Sequence, residues 1–268
     1  MSALPPDLEA ALAARLRYYR DLGVFSLYRR CDPDPELDIS PASQTKYKSE
    51  SAISAAGPSS ESSLVTPSAA AAPAADRHAA LEAIRADIGD CTRCPLAFQG
   101  RHTIVFADGD PNARLMFVGE GPGADEDAQG LPFVGRAGQL LNNMITAMGL
   151  QRSEVYIANV VKCRPPQNRT PEPDEANTCM QFLWRQIDVV RPQIIVALGS
   201  TAATYLLGAK SSLAGLRGRI HQVRESQVIV TYHPAYLLRD PRQKAEAWKD
   251  LQIAMKELGL APPKPAKS

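Results

Sequence analysis

Apolar positions change their rhythm along the chain. Between Leu8 and Arg30 they recur at i, i+3 and i+4 (Leu8, Ala11, Leu12, Leu16, Tyr19, Leu22), which predicts an amphipathic helix with Pro5 and Pro6 ahead of it. From Asp32 to about Ala75 large apolar residues thin out and Ser, Ala and Pro dominate. Such a stretch buries too little to offset its ordering entropy and predicts a flexible linker. Beyond about Arg77, short apolar runs alternate with helical periods. Strands are expected over Arg114–Gly119, Val155–Val161, Gln193–Leu198 and Val228–Thr231, and helices over Ala137–Met148, Pro173–Val190, Ser200–Leu207 and Lys244–Leu258. Apolar strands that alternate with helices read as buried on both faces. The expected fold class is therefore α/β, a three-layer α/β/α arrangement with a central, mostly parallel four-stranded sheet. Ligands of such sheets bind beyond the C-terminal ends of the strands.

Composition adds little, and charge adds one asymmetry. Residues 1–90 carry 9 Lys and Arg against 13 Asp and Glu, whereas residues 91–268 carry 21 against 16. A basic C-terminal part suits a polyanionic partner. No apolar run approaches the ~20 residues of a membrane span. The segment Met1–Glu9 has neither a basic nor an apolar stretch, so it does not read as a secretory signal. A cytoplasmic protein without a membrane partner is expected.

Of the five cysteines, Cys91 and Cys94 form a Cys-x-x-Cys, Cys163 follows the second strand, and Cys179 lies in the next helix. In a reducing compartment such residues serve as metal ligands or free thiols more often than as disulfides. Four thiolates suit Zn²⁺ or an iron–sulfur cluster equally by spacing. The alternative is a redox pair with two packed core thiols. Cys31 has no assignment.

The loops after the strands carry the other signals. The first strand ends in Gly119-Glu120-Gly121-Pro122-Gly123-Ala124-Asp125-Glu126-Asp127, where glycines permit close backbone approach to a ligand. The Gly-Lys-Ser/Thr ending of a phosphate loop is absent. Next comes Gly130-Leu131-Pro132-Phe133-Val134-Gly135-Arg136-Ala137-Gly138, whose Phe133 can stack on a planar ligand or anchor the loop in the core. Asn159 ends the second strand, four residues before Cys163-Arg-Pro-Pro-Gln-Asn-Arg169, and His233-Pro-Ala-Tyr-Leu-Leu-Arg239 follows the fourth.

In this order the set resembles the uracil-DNA glycosylase superfamily, specifically its family 4, the iron–sulfur enzymes of many bacteria and archaea. The same motif set occurs in a phage-type DNA polymerase-related domain. The resemblance spans about Asp87 to Leu260. It implies 77–260 as the glycosylase domain with its cluster, which leaves residues 1–31 as the helical extension and 32–76 as the flexible linker read from the apolar pattern, and 261–268 as a disordered tail. It also implies a 4Fe–4S cluster on Cys91, Cys94, Cys163 and Cys179, and hydrolysis of the N-glycosidic bond of uracil in single- or double-stranded DNA. The partner list would then be uracil-containing DNA and a replication or repair protein met by the N-terminal helix, with the enzyme a monomer.

Uracil must leave the base stack to be cut out. The resemblance implies that Gly121, Phe133, Asn159 and His233 form the uracil site, with Asn159 reading O4 and N3–H and His233 donating to O2. Glu120 and Glu126 are the catalytic carboxylates. Other superfamily members have an Asp and an aromatic where this chain has Gly121 and Gly123, so excluding thymine falls to another group such as Glu126. Arg164, Arg169 and Arg239 are candidates to grip phosphates, and Leu237 and Leu238 to fill the gap left by the base, or else to pack on the core. A covalently trapping relative carries a His in an insert beside the third cysteine. Here Lys162 runs straight into Cys163 and turnover is expected. His221 is expected to be structural. The competing readings are a glycosylase of relaxed base choice and a non-catalytic four-cysteine DNA-binding module. The latter has no need of Asn159, Phe133 and His233 together.

Overall fold

The computed structural model describes residues 74–208 and 211–260. The expected helix over Leu8–Arg30, residues 32–73 of the expected linker, Cys31 and the 261–268 tail lie outside the described residues, and residues 74–76, expected in the linker, begin a helix instead. Element order is α1 (Ala74–Ile88), β1 (Asp108–Gly109), β2 (Leu115–Gly119), α2 (Ala124–Gln129), α3 (Arg136–Ala147), β3 (Tyr156–Asn159), α4 (Pro173–Val190) and β4 (Ile194–Leu198). It continues with α5 (Gly199–Leu207), α6 (Leu213–Leu216), β5 (Ile220–Val223), β6 (Ser226–Thr231), α7 (Pro234–Arg239) and α8 (Lys244–Leu258), with short 3-10 turns between.

The strands form one sheet in the order β1-β3-β2-β4-β6-β5. The four inner strands are parallel, as the apolar runs predict. The expected count of four is corrected to six, because β1 and β5 add antiparallel edges. Neither edge carries an apolar run to announce it. β1 is two residues long, and β5 alternates exposed with half-buried side chains. Gly109 is required in β1, since a Cβ there would lie 1.8 Å from the Val155 carbonyl oxygen at a φ of +109°.

Strand side chains alternate between two cores. Met116, Val118, Ile195 and Ala197 face one side, against α1, α4 and α5. Leu115, Phe117, Ile194 and Val196 face the other, against α3 and α8. Helix α4 buries Ala176, Cys179, Met180, Leu183, Ile187 and Val190 at helical spacing. It starts on Pro173, and the Glu175 carboxylate accepts the Glu172 N–H at 2.8 Å. Helix α8 ends at Gly259, with φ +69°.

Four helices were not readable from apolar period: α1, the short α2 over the acidic turn, the one-turn α6, and α7 over the Pro234–Arg239 loop. The chain runs outward from β2 to β3, then returns past β2 to β4, so its direction switches at the β2/β4 crevice. Crevices of this kind bind ligands in open α/β sheets. No described helix is long and apolar enough to cross a membrane.

The cores are tight enough for single truncations to matter. Leu141, fully buried on α3, should lose about 2–5 kcal/mol of stability on Leu141→Ala, measured by urea unfolding.

Candidate functional site

The β2/β3 register sets Gly119 beside Asn159 at the C-terminal end of the sheet. Asn159 is 2% exposed. Its Oδ1 is one of two buried side-chain atoms among the described residues with no hydrogen-bond partner. A Cβ on residue 119 would lie 2.4 Å from that Oδ1 and 2.5 Å from Phe133 Cζ. The missing side chain thus lets the Asn159 amide and the aromatic ring meet.

Phe133 has φ +53°, a left-handed conformation rare for a bulky residue and costing about 1–3 kcal/mol. Its neighbours over-determine it. Glu126 Oε1 accepts the N–H groups of Val134 (2.9 Å) and Gly135 (3.0 Å), and Glu126 Oε2 accepts that of Gly123 (3.1 Å). Both oxygens of the expected catalytic Glu126 are therefore engaged in tying two loops together. A Cβ at Gly123 would sit 2.7 Å from Glu126 Oε2, so this carboxylate fills the space beside that glycine. Asp127 is fully buried and accepts His102 Nδ1 (2.7 Å) and the His102 and Thr103 N–H groups. Burial raises its pKa, and these hydrogen bonds lower it further than burial raises it.

His233 caps α7. Its Nδ1 accepts the Ala235 N–H at 3.1 Å, so the ring's own proton resides on Nε2. Burial foremost, then the Arg239 charge, lowers its pKa to about 4, and Glu126 opposes this. The imidazole is neutral at pH 7 and donates from Nε2. Its ring centroid lies 5.7 Å from that of Phe133. Gly199, at φ +91° after β4, leaves room for it, since a Cβ there would approach His233 Cβ to 3.1 Å. The strand before His233 is held by Thr231, whose hydroxyl donates to the buried Asp250 carboxylate at 2.8 Å. Arg217 pairs with the same carboxylate and stacks on Tyr232.

Glu120 follows β2 and accepts a hydrogen bond from the Thr201 hydroxyl on α5, across the β2/β4 crevice. Gly121 lies against Val161, whose Cγ2 would be 2.6 Å from an added Cβ. A larger residue at 121 needs Val161 to move.

Two expectations for the DNA face are corrected. Leu237 is 1% exposed and packs inward, because α7 turns it to the core. Leu238, at 36%, is the exposed member of the pair. Arg169 is not free, because it forms two bonds of 2.7 and 2.8 Å to the carboxylate of Glu175 and another of 3.2 Å to Gln99. It braces the loop after Cys163. Among the described residues Arg164 bonds to Asn168 alone, and Arg239 is exposed. His221 contacts the Leu216 carbonyl on the edge strand, as a structural residue does.

Cys91, Cys94, Cys163 and Cys179 line one small pocket together with Arg93, Lys162, Thr178 and apolar side chains. Arg93 and Arg101 donate to the sulfurs of Cys91 and Cys163, and the Lys162 N–H donates to that of Cys179 at 3.3 Å. Lys162 is 1% exposed. Its ammonium donates to the Asn159 carbonyl at 2.8 Å and to Gln186 at 2.6 Å. Burial lowers its pKa to about 8. One residue thus touches both the cysteine cavity and the strand end that carries the unpartnered amide. Sequence reading missed Lys162, Thr201 and Arg101. Only Lys162, a cation inside the run Asn-Val-Val-Lys-Cys, left a trace.

A family model, the uracil DNA glycosylase superfamily, matches residues 106–252. The chain is 46% identical to the Type-4 uracil-DNA glycosylase of Thermotoga maritima over 166 residues, 61% of this chain and 86% of that protein. It is 43% identical to the Type-4 uracil-DNA glycosylase of Sulfurisphaera tokodaii over 191 residues, 68% of this chain and 86% of that one. A DNA polymerase of Bacillus phage SP01 is 30% identical over 146 residues, 54% of this chain and 16% of the polymerase. The chain belongs to the uracil DNA glycosylase superfamily. Its likeness to the Type-4 enzymes extends over most of their length.

The His233 geometry has a pH consequence. The folded state takes its proton near pH 4 and the unfolded chain near 6.5. Between these values the unfolded state binds more protons, so this stability is full above pH 6.5 and is lost as pH falls towards 4. NMR of the ring nitrogens should show a single Nε2–H tautomer down to about pH 5 and a midpoint near 4. His233→Gln should remove that part of the slope of stability against pH.

Proposed function

We infer that this protein is a DNA-repair glycosylase that hydrolyses the N-glycosidic bond of uracil in DNA and leaves an abasic site. The single observation that carries the reading at the site is the buried, unpartnered Oδ1 of Asn159 beneath Phe133. An orphaned acceptor costs about 1–3 kcal/mol unless a ligand satisfies it. The N3–H of a flipped uracil is such a donor, and the amide N–H then donates to O4. Cytosine presents an unprotonated N3 and an amino group there, so both contacts are lost.

Phe133 stacks on the base. As the C1′–N1 bond breaks, its electron pair leaves on uracil, and negative charge gathers at O2. The Nε2–H of neutral His233 donates to it. Preorganised donors of this kind contribute ~3–4 kcal/mol. Water adds to C1′ from the sugar's other face, and its proton passes to a base. Glu120, fixed by Thr201, is the carboxylate at the crevice that can stabilise the cationic sugar or take that proton. Glu126 orders the loops, and its place beside Gly123 suits the exclusion of thymine's methyl group. Leu238 fills the vacated stack, and Arg164 and Arg239 grip phosphates.

The four thiols suit a 4Fe–4S cluster. They line one pocket, and the Arg93 and Arg101 side chains and the Lys162 backbone N–H donate to the sulfurs of Cys91, Cys163 and Cys179. Such a cluster ties the segment before β2 to the strand that carries Asn159, as a staple outside the chemistry. An enzyme of the cytoplasm, acting as a monomer, fits this reading.

Brown, cluster-loaded protein should convert uracil-containing single- and double-stranded oligonucleotides to alkali-labile products, and should contain about four iron atoms per chain. No product from loaded protein would sink the enzyme reading, and stoichiometric zinc without iron would sink the cluster. Leu238→Ala should slow excision from duplex about tenfold and spare single strands, which need no gap filled.

A further inference from the structure

Arg152 lies in the 3-10 turn before β3, and no reading of the site residues includes it. Its guanidinium reaches three separate parts of the fold. Nε donates to Asp108 Oδ2 on β1 at 2.7 Å, and Nη1 to Asn142 Oδ1 on α3 at 3.0 Å. Nη2 donates to the Pro132 carbonyl at 2.5 Å, and Nη1 also to the Phe133 carbonyl at 3.1 Å. Two of the four contacts therefore fall on the carbonyls either side of the Phe133 amide and Cα. An arginine that only anchored its own turn would have no need of them.

Phe133 is the residue that most needs holding. Its φ of +53° does not persist in a free loop. The Glu126 carboxylate fixes the two N–H groups that follow it. Gly138 of α3 presses on its carbonyl, where an added Cβ would lie 1.8 Å from the oxygen. Arg152 supplies the remaining restraint, on the chain entering the residue and on the same carbonyl. The ring is then directed over Gly119 and beside Asn159.

We propose that Arg152 is a positioning residue for base recognition, whose planar guanidinium, anchored by Asp108 and Asn142, holds the Phe133 ring in the orientation that stacks on a flipped uracil. The proposal rests on the reading of Phe133 as the stacking residue. It also gives the two-residue strand β1 a purpose, since β1 pairs with β3 and carries the carboxylate that anchors the fork. Lysine cannot substitute, because a single ammonium lacks the planar fork that serves four acceptors at once.

The test is a double-mutant cycle in the cluster-loaded protein. Single-turnover excision, inhibition by free uracil, affinity for undamaged DNA and thermal midpoint are measured for Arg152→Ala, Arg152→Lys, Phe133→Ala and the Arg152→Ala/Phe133→Ala double variant. Arg152→Ala should slow excision about tenfold or more and weaken uracil inhibition by a similar factor, with undamaged-DNA affinity within about twofold of the parent. Arg152→Lys should recover only part of the loss. In the Phe133→Ala background, removing Arg152 should cost nothing further. Equal losses in both backgrounds, or a lowered midpoint with unchanged excision and inhibition, would overturn the proposal. Should Arg152→Ala fail to fold, Asp108→Asn keeps the arginine and loosens its anchor. A smaller loss that again disappears without Phe133 is expected, and an additive one would overturn the proposal. Phe133→Ala with parental excision would remove the stacking reading itself, an outcome separate from additivity.

Discussion

The buried amide oxygen of Asn159 has no partner among the described residues, and much of the surrounding structure is organised around keeping it so. Parallel pairing of β2 with β3 brings it level with Gly119, whose bare Cα leaves the space in front of it open. Phe133 closes that space from one side in a conformation that its own backbone disfavours. Behind it, the Lys162 ammonium holds the Asn159 carbonyl and so fixes the strand end. In the function proposed above, this dry and unsatisfied atom is what discriminates between bases. A base that offers a donor there gains a bond, and one that offers an acceptor leaves two groups unpaired.

Charge is distributed by the same logic. The imidazole nearest the base is kept neutral by burial and by the Arg239 charge, and its tautomer is set by the Ala235 N–H. A neutral donor gains strength as charge gathers on the leaving base, without first drawing an anion into the site. Three acids of the loop after β2 are engaged within the protein: Glu126 clamps loops, Asp127 holds the 102–103 segment, and Glu120 bonds to Thr201. Positive charge gathers at the cysteine cavity, where Arg93 and Arg101 donate to the sulfurs and Lys162 lines the wall. The cavity lies beside the reading strand, so a group bound there governs how rigidly Asn159 is presented.

The four inner strands and helices α3, α4, α5 and α8 were legible because their burial repeats in the apolar pattern, whereas α1, whose apolar residues are mostly alanine, was not. Arg114–Gly119 and Gln193–Leu198 are continuous apolar runs, and helix Pro173–Val190 announces itself by Pro173, the acids of its first turn and its apolar stripe. The edge strands were not legible, since β1 is an Asp and a Gly whose pairing depends on the chain 47 residues later. Asn159, Phe133 and His233 were found because a recurring order of loops carries them. Arg152 left no mark, because it binds carbonyls, which every residue possesses. The split between Leu237 and Leu238 was equally hidden, since it depends on the phase of a one-turn helix that proline-led sequence does not advertise.

The amide of Asn159 can be tested alone. Single-turnover excision of uracil should fall about a hundredfold or more in cluster-loaded Asn159→Ala, with DNA affinity and iron content retained, since both recognition contacts to the base are lost. Excision at the parental rate by a folded, iron-replete Asn159→Ala protein would contradict the account at its centre.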